Sequence, residues 1–176
     1  MDISPTQFKR CDLVKATGRR WWDDSSLMDN VPNNAVSSRT AVFPGRYGSL
    51  NEVVDFVTGA AQAAGLDADG VNAVQLAVDE ACSNIIDHAY GGEGRGEIEC
   101  TCHIAHDRLT VQLRDYGSPF DPSCVSDPDL ECDLEERGEG GLGLYIMRRL
   151  MDEIHFECSS ESGNVLTMVK RQETSG

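Results

Sequence analysis

Three short stretches hold the residue types that could do chemistry, and their order along the chain matters as much as their content. The first is VDEACSNIIDHAY, where Glu80 and Asn84 lie four apart. On a helix that spacing stacks them one turn apart on one side, with Asp87 beside them and His88 toward the edge of the apolar face. A carboxylate there can take up a proton, and an amide oxygen suits a hard cation such as Mg²⁺. The same pair also describes a solvated polar stripe closed by an i,i+4 hydrogen bond. The second stretch is DYGSPF. Asp115 ends the apolar run RLTVQLR, where a carboxylate can accept from an exocyclic amino group such as that of adenine, and Gly117 admits a close approach to a flat ring. Asp and Gly are equally the ordinary residues of a turn after a strand.

The third stretch is ERGEGGLGLYIMRRLMDEI, in which Gly138, Gly140 and Gly143 spell G-x-G-x-x-G ahead of a helix. Free N–H groups and the dipole at a helix start favour phosphate. A dinucleotide fingerprint needs a strand before its glycines and a βαβ unit around them. Here the acidic EERG precedes the run and two hairpin-like strands follow it. A Walker A loop is excluded too, because no Gly-Lys-Ser/Thr follows.

The elements that must position these residues can be read from periodicity. TAVFPG is a short strand stopped by Pro44 and Gly45. SLNEVVDFVTGAAQAAG carries apolar residues at helical spacing, with Ser49 as the expected N-cap and Gly65 as the stop. A second helix is expected from about Ala68 to Tyr90, ending at Gly91–Gly92, with Val74, Ala77, Val78, Ala81 and Ile85 on its apolar face. GEIECTCHIAHDRLTVQLRDYG gives two alternating strands around His106–Asp107. LGLYIMRRLMDEI is a third helix, and HFECSS and NVLTMVKRQ are two last strands turning at residues 161–163. The order β-α-α-β-β-loop-α-β-β predicts an α/β (α+β) two-layer sandwich with a mixed, mainly antiparallel sheet and helices on one face. Residues 1–38 show no sustained period and form an expected extension bearing Trp21 and Trp22; residues 39–172 form the domain, and 173–176 a tail.

Composition narrows the partners. With 30 acidic against 15 basic residues the formal charge is −15, which opposes binding to nucleic acid or an anionic membrane. No run reaches the roughly 18 apolar residues of a membrane span, and the N-terminus lacks an export-type apolar region, so the expected location is cytoplasmic. The seven cysteines form no C-x-x-C pair, which suits reduced thiols. Cys100, Cys102 and His103 are expected to pack in a strand rather than to bind metal.

Taken in order, EACSNIIDHAY, DYGSPF and GEGGLGLYIMRRLMDEI resemble the N, G1 and G2 boxes of the GHKL ATP-binding superfamily, and most closely the anti-sigma factor serine/threonine kinases of bacterial partner switching, over about residues 40–171. The resemblance implies a Bergerat-type fold and Mg-ATP as the nucleotide. It implies Glu80 as general base and Asn84 as the residue that holds Mg²⁺ on the phosphates. Asp115 with Gly117 would bind adenine, and Thr167 would support the adenine pocket through water. Asp87, His88, Phe120, Leu142 and Leu144 are assigned to the nucleotide site on the same basis. The loop from about Pro119 to Gly141 corresponds to an ATP lid, with Arg137, Gly138, Gly140, Gly141 and Gly143 around the phosphates, and Arg148 and Arg149 as other cations nearby. The implied reaction is transfer of the γ-phosphoryl group to a serine or threonine of an anti-anti-sigma factor of the STAS type, with a sigma factor as the competing partner and a homodimer as the implied assembly. The alternative is a non-catalytic, ATP-dependent binding module of the same fold. A sensor histidine kinase would need a long phosphoacceptor-helix pair before Thr40, which residues 1–38 do not supply.

Overall fold

Alternation along Glu97–Ile104 places Ile98, Cys100, Cys102 and Ile104 on one side, and all of them are buried. Leu109, Val111, Leu113 and Asp115 do the same in the next strand. That two-residue period demands an apolar cover on one face only, and three helices supply it. A computed structural model of the chain describes residues 37–119, 142–159 and 163–173. The elements are β1 (Ser37–Pro44), α1 (Leu50–Ala63), α2 (Ala68–Asn84), β2 (Glu97–Ile104), β3 (Arg108–Asp115), α3 (Leu142–Leu150), β4 (Glu153–Ser159) and β5 (Gly163–Arg171). They form one five-stranded sheet in the order β1-β2-β3-β5-β4.

Every pairing in that sheet is antiparallel, so it is wholly antiparallel among the described residues and not mixed. The two-layer arrangement is as expected. The core lies between sheet and helices: Val53, Val57 and Ala61 of α1, Val74, Val78 and Ala81 of α2, and Leu144 and Met147 of α3 join the inward residues of β2, β3 and β5 in one cluster. Burying each of the valine, leucine and methionine side chains contributes roughly 1.5–3 kcal/mol. At one end Phe43 meets Phe56 edge to face, with ring centroids 5.8 Å apart.

Local starts and stops differ from the periodic reading in three places. Ser49 precedes α1, but a single 3₁₀ turn over Tyr47–Ser49 leads into the helix and the Ser49 side chain makes no cap bond; its hydroxyl instead accepts from Arg46 Nε at 3.3 Å. Helix α2 does carry a side-chain cap, Asp67 Oδ1 accepting from Gly70 N at 2.8 Å. Its regular hydrogen bonding stops at Asn84, and Ile85–Ala89 form a π-helical turn. Helix α3 ends at Leu150, because Glu153 and Ile154 are already paired with Val169 and Met168 in the sheet. The N-terminal arm with Trp21 and Trp22, and the segment 120–141, lie outside the described residues.

Candidate active site

Helix α2 carries Glu80 and Asn84 on a half-buried stripe beside its buried face of Ala77, Val78 and Ala81. Neither side chain makes a hydrogen bond or ion pair to another described residue, so the i,i+4 bond that would make the pair a closed stripe does not form. Against them lies the start of α3. A Cβ built on Gly143 would come 2.8 Å from Glu80 Oε2 and 3.1 Å from Asn84 Nδ2. Glycine lets the start of α3 pack against both side chains as they stand, which brings the helix N-terminus next to the carboxylate and the amide.

The π turn that follows Asn84 is the second positioning device. Its extra residue is recorded in the Tyr90 N to Ile85 O bond of 2.9 Å, the kind of local insertion that often marks a functional segment. It turns Asp87 and His88 outward, and both are exposed. Asp87 accepts a hydrogen bond from the Tyr47 hydroxyl, and that bond pushes the phenol's pKa up. Ala89 is aimed at the loop after β3. Ser118 N donates to Ala89 O at 2.7 Å, and a Cβ on Gly117 would meet that same oxygen at 2.5 Å. Gly117 is therefore a close-approach glycine, required by the neighbouring backbone itself.

Asp115 is buried at 4% exposure at the end of β3. Its Oδ1 accepts from Gly117 N and from Asn164 Nδ2, each at 2.8 Å. Burial raises the carboxyl's pKa, and these two donors offset only part of that rise. An open cleft lies between α2, α3 and the sheet. Its walls include Asn84, Ile85 and Ala89 on one side, Met147 and Phe156 on another, and Asp115 with Asn164 at the sheet. It is mostly apolar with a few converging polar groups, which suits a flat heterocycle with a polar tail. His88 lines this cleft despite its exposure.

The remaining assigned positions divide plainly. Leu144 is a core residue at 4% exposure, whereas Leu142 at the helix start is half exposed. Arg148 and Arg149 stand exposed in the last turn of α3, at the far end from Gly143, where cations complement the helix dipole. Phe120, Arg137, Gly138, Gly140 and Gly141 lie outside the described residues. The assignment of Thr167 to the pocket needs correction. Thr167 is paired with Gln112 in the register, and its hydroxyl accepts from Gln112 Nε2 at 3.3 Å on the sheet face away from the helices. Strand parity sends Leu166 and Met168 inward and Thr167 outward. The position on β5 that faces Asp115 is Asn164, its direct register partner. Periodicity alone did not point to Asn164; the β3–β5 register, once drawn, does.

The antiparallel sheet, the three helices on one face and the cleft between them define the class. Residues 43–170 match the histidine kinase-like ATPase domain family, and the chain belongs to that family. Among curated proteins, serine-protein kinase RsbW of Bacillus velezensis is 36% identical over 119 residues, 65% of this chain and 72% of that one. The RsbW kinases of Halalkalibacterium halodurans and Bacillus subtilis are 36% and 34% identical over 118 and 119 residues, each alignment covering 65% of this chain and 70% and 72% of theirs. The chain is thus a member of the RsbW group of that family. The crystal structure of the RsbU and RsbW domains of Rv1364c from Mycobacterium tuberculosis shares the fold, with a TM-score of 0.54 at 14% identity over 77% of this chain; the match spans 32% of that longer chain.

Proposed function

We propose that the chain is an ATP-dependent serine/threonine protein kinase that acts as an anti-sigma regulatory factor, phosphorylating an anti-anti-sigma antagonist of the STAS type. The observation that carries this reading is the placement of Gly143 against Glu80 and Asn84, the latter on the wall of a cleft that Asp115 also lines. A module that only bound nucleotide would have no use for a carboxylate without a partner among the described residues beside that wall.

In this reading the Asp115 carboxylate accepts from the adenine amino group, and Gly117 leaves room for the ring. Asn84 faces the cleft with no hydrogen-bond partner among the described residues, which suits a hard cation shared with phosphate oxygens. Mg²⁺ bound there would screen the triphosphate charge, a need made sharper by a chain of net charge −15. Glu80 takes the proton of the substrate hydroxyl. The hydroxyl oxygen forms its bond to the γ-phosphorus while the bond to the β,γ-bridging oxygen breaks, and ADP leaves with that electron pair. Phe120, Arg137, Gly138, Gly140 and Gly141 belong to the lid over the phosphates, and Asp87 and His88 to the cleft rim. The working location is the cytoplasm, with a sigma factor as the second partner and a homodimer as the assembly.

The test is retention of partners from the native host on the full chain with and without Mg-ATP, followed by phosphosite mapping. A phosphoserine or phosphothreonine on a retained small protein, absent with Glu80→Gln, is the expected result. Partner retention that depends on ATP but yields no phosphosite with the wild-type chain would replace the kinase with the binding module.

A further inference from the structure

We infer that Asn164 is a positioning residue of the nucleotide site: its amide clamps the Asp115 carboxylate and the backbone of the following loop together, leaving Asp115 Oδ2 as the acceptor presented to the base. The inference rests on the reading of the cleft as an ATP site.

The clamp is built from both strands. Gly163 opens β5 at φ +76°, and a Cβ on it would come 2.4 Å from Asp115 O and 2.9 Å from the Tyr116 ring, so the start of β5 presses directly on the end of β3. That approach sets Asn164 opposite Asp115 in the register. From there one amide nitrogen reaches three acceptors: Asp115 Oδ1 at 2.8 Å, Gly117 O at 3.2 Å and Ser118 O at 3.3 Å. Gly117 N closes the ring from the other side by donating to the same Oδ1. Both donors fall on Oδ1, and Oδ2 has no partner among the described residues. Asn164 lines the cleft together with Asp115, so the clamp lies at the wall itself.

An amide is well suited to this place. One N–H can donate to the carboxylate while the other is shared between the two carbonyls, and no charge is added. A hydroxyl could donate to only one of them. The clamp also offsets part of the burial that raises the pKa of Asp115. The other groups around that carboxylate are His88 and Tyr90 from the segment after α2, Tyr116 beside it, and Glu157 and Cys158 from β4. Among these only His88 can supply positive charge, and it stands exposed at the rim.

The experiment measures ATP binding by the intact chain, with MgCl₂, from about pH 5 to 8, for wild type, Asn164→Ala and Asn164→Asp, each checked for a cooperative thermal transition. Asn164→Ala should bind ATP about tenfold more weakly at neutral pH, the cost of one hydrogen bond to a charged group. Its affinity should also fall away at higher pH than wild type does, because Asp115 then protonates sooner. Asn164→Asp should behave in the opposite sense: weak binding at pH 8, where two carboxylates face each other, and stronger binding as pH falls and one shared proton restores a donor. Wild-type affinity and acid limb in both variants would overturn the inference while leaving the ATP site standing. A uniform loss in both, with no displacement of the pH profile, would also overturn it, reducing Asn164 to a structural strut. Failure of the wild-type chain to bind ATP would overturn both the clamp and the nucleotide reading.

Discussion

Gly117 and Ala89 meet backbone to backbone: a Cβ at 117 would lie 2.5 Å from the Ala89 carbonyl oxygen, the same oxygen that Ser118 N reaches at 2.7 Å. This contact couples the π turn after α2 to the loop after β3, so the two halves of the cleft are fixed to each other by main chain. Gly117→Ala should therefore part them. Overpacking of this kind costs roughly 1–3 kcal/mol, read as a lower urea midpoint, and ATP affinity should drop at the same time. A variant of wild-type stability and wild-type ATP affinity would show that the contact relaxes freely and positions nothing.

Gly143→Ala should behave differently, although its Cβ would meet Glu80 Oε2 at 2.8 Å. The atom it meets is the end of a flexible side chain, which can swing aside, and alanine favours the helix over glycine by up to about 1 kcal/mol. Stability should hold or rise slightly, while phosphoryl transfer falls about a hundredfold because the base is displaced from the reacting hydroxyl. Measuring melting temperature and single-turnover transfer on the same preparation separates the two effects. Transfer at the wild-type rate would remove Glu80 from the role of base as it is placed here.

Asp115→Asn tests a conflict between stability and binding. The buried carboxyl has a raised pKa in the folded chain, so its ionised form is disfavoured by folding. Its contribution is most favourable below the unfolded-state value near 3.9 and is lost as pH rises through the raised folded value. An asparagine that keeps its oxygen toward Gly117 N and Asn164 Nδ2 has no such titration. The variant should gain stability over wild type as pH is raised from about 4 toward 7, and should lose ATP, since an amide nitrogen would face the adenine amino group. Parallel stability–pH curves for the two proteins would refute the account of Asp115.

How much of this was legible in the sequence depends on which physical signal carried each part. Alternation in β2 and β3 and the helical spacing of α1 and α2 fixed the core faces, because burial enforces those periods directly. Glu80, Asn84 and Asp115 could be singled out because an i,i+4 pair and a strand-end acid are local patterns. The π turn was not legible: one extra residue at 85–89 leaves composition unchanged, and it appears only in the hydrogen bonds that close it. Thr167 was misplaced for a related reason. Which residue of β5 faces Asp115 is decided by register across strands 49 residues apart, and a threonine in an apolar strand looks the same on either face. The end of α3 was overrun because MDEI continues a helical pattern, while pairing of Glu153 and Ile154 with β5 claims those residues for the sheet.

The cysteines give an independent reading of the cleft. Cys158 is exposed and lines it, whereas Cys82, Cys100 and Cys102 are buried. Burial, with Asp79 nearby, pushes the Cys82 thiol up to about 12, so at pH 8 its thiolate is scarcer than that of a free cysteine by on the order of a thousandfold. Iodoacetamide applied to the native chain at pH 8 should therefore modify Cys158 and spare Cys82, Cys100 and Cys102, as resolved by peptide mass spectrometry. Mg-ATP should slow the modification of Cys158 several-fold by filling the space beside it, and Asp115→Asn should abolish that protection because it no longer holds the nucleotide. Equal labelling of Cys158 with and without saturating ATP would place the nucleotide away from the wall formed by β4 and β5, and with it the base away from Asp115.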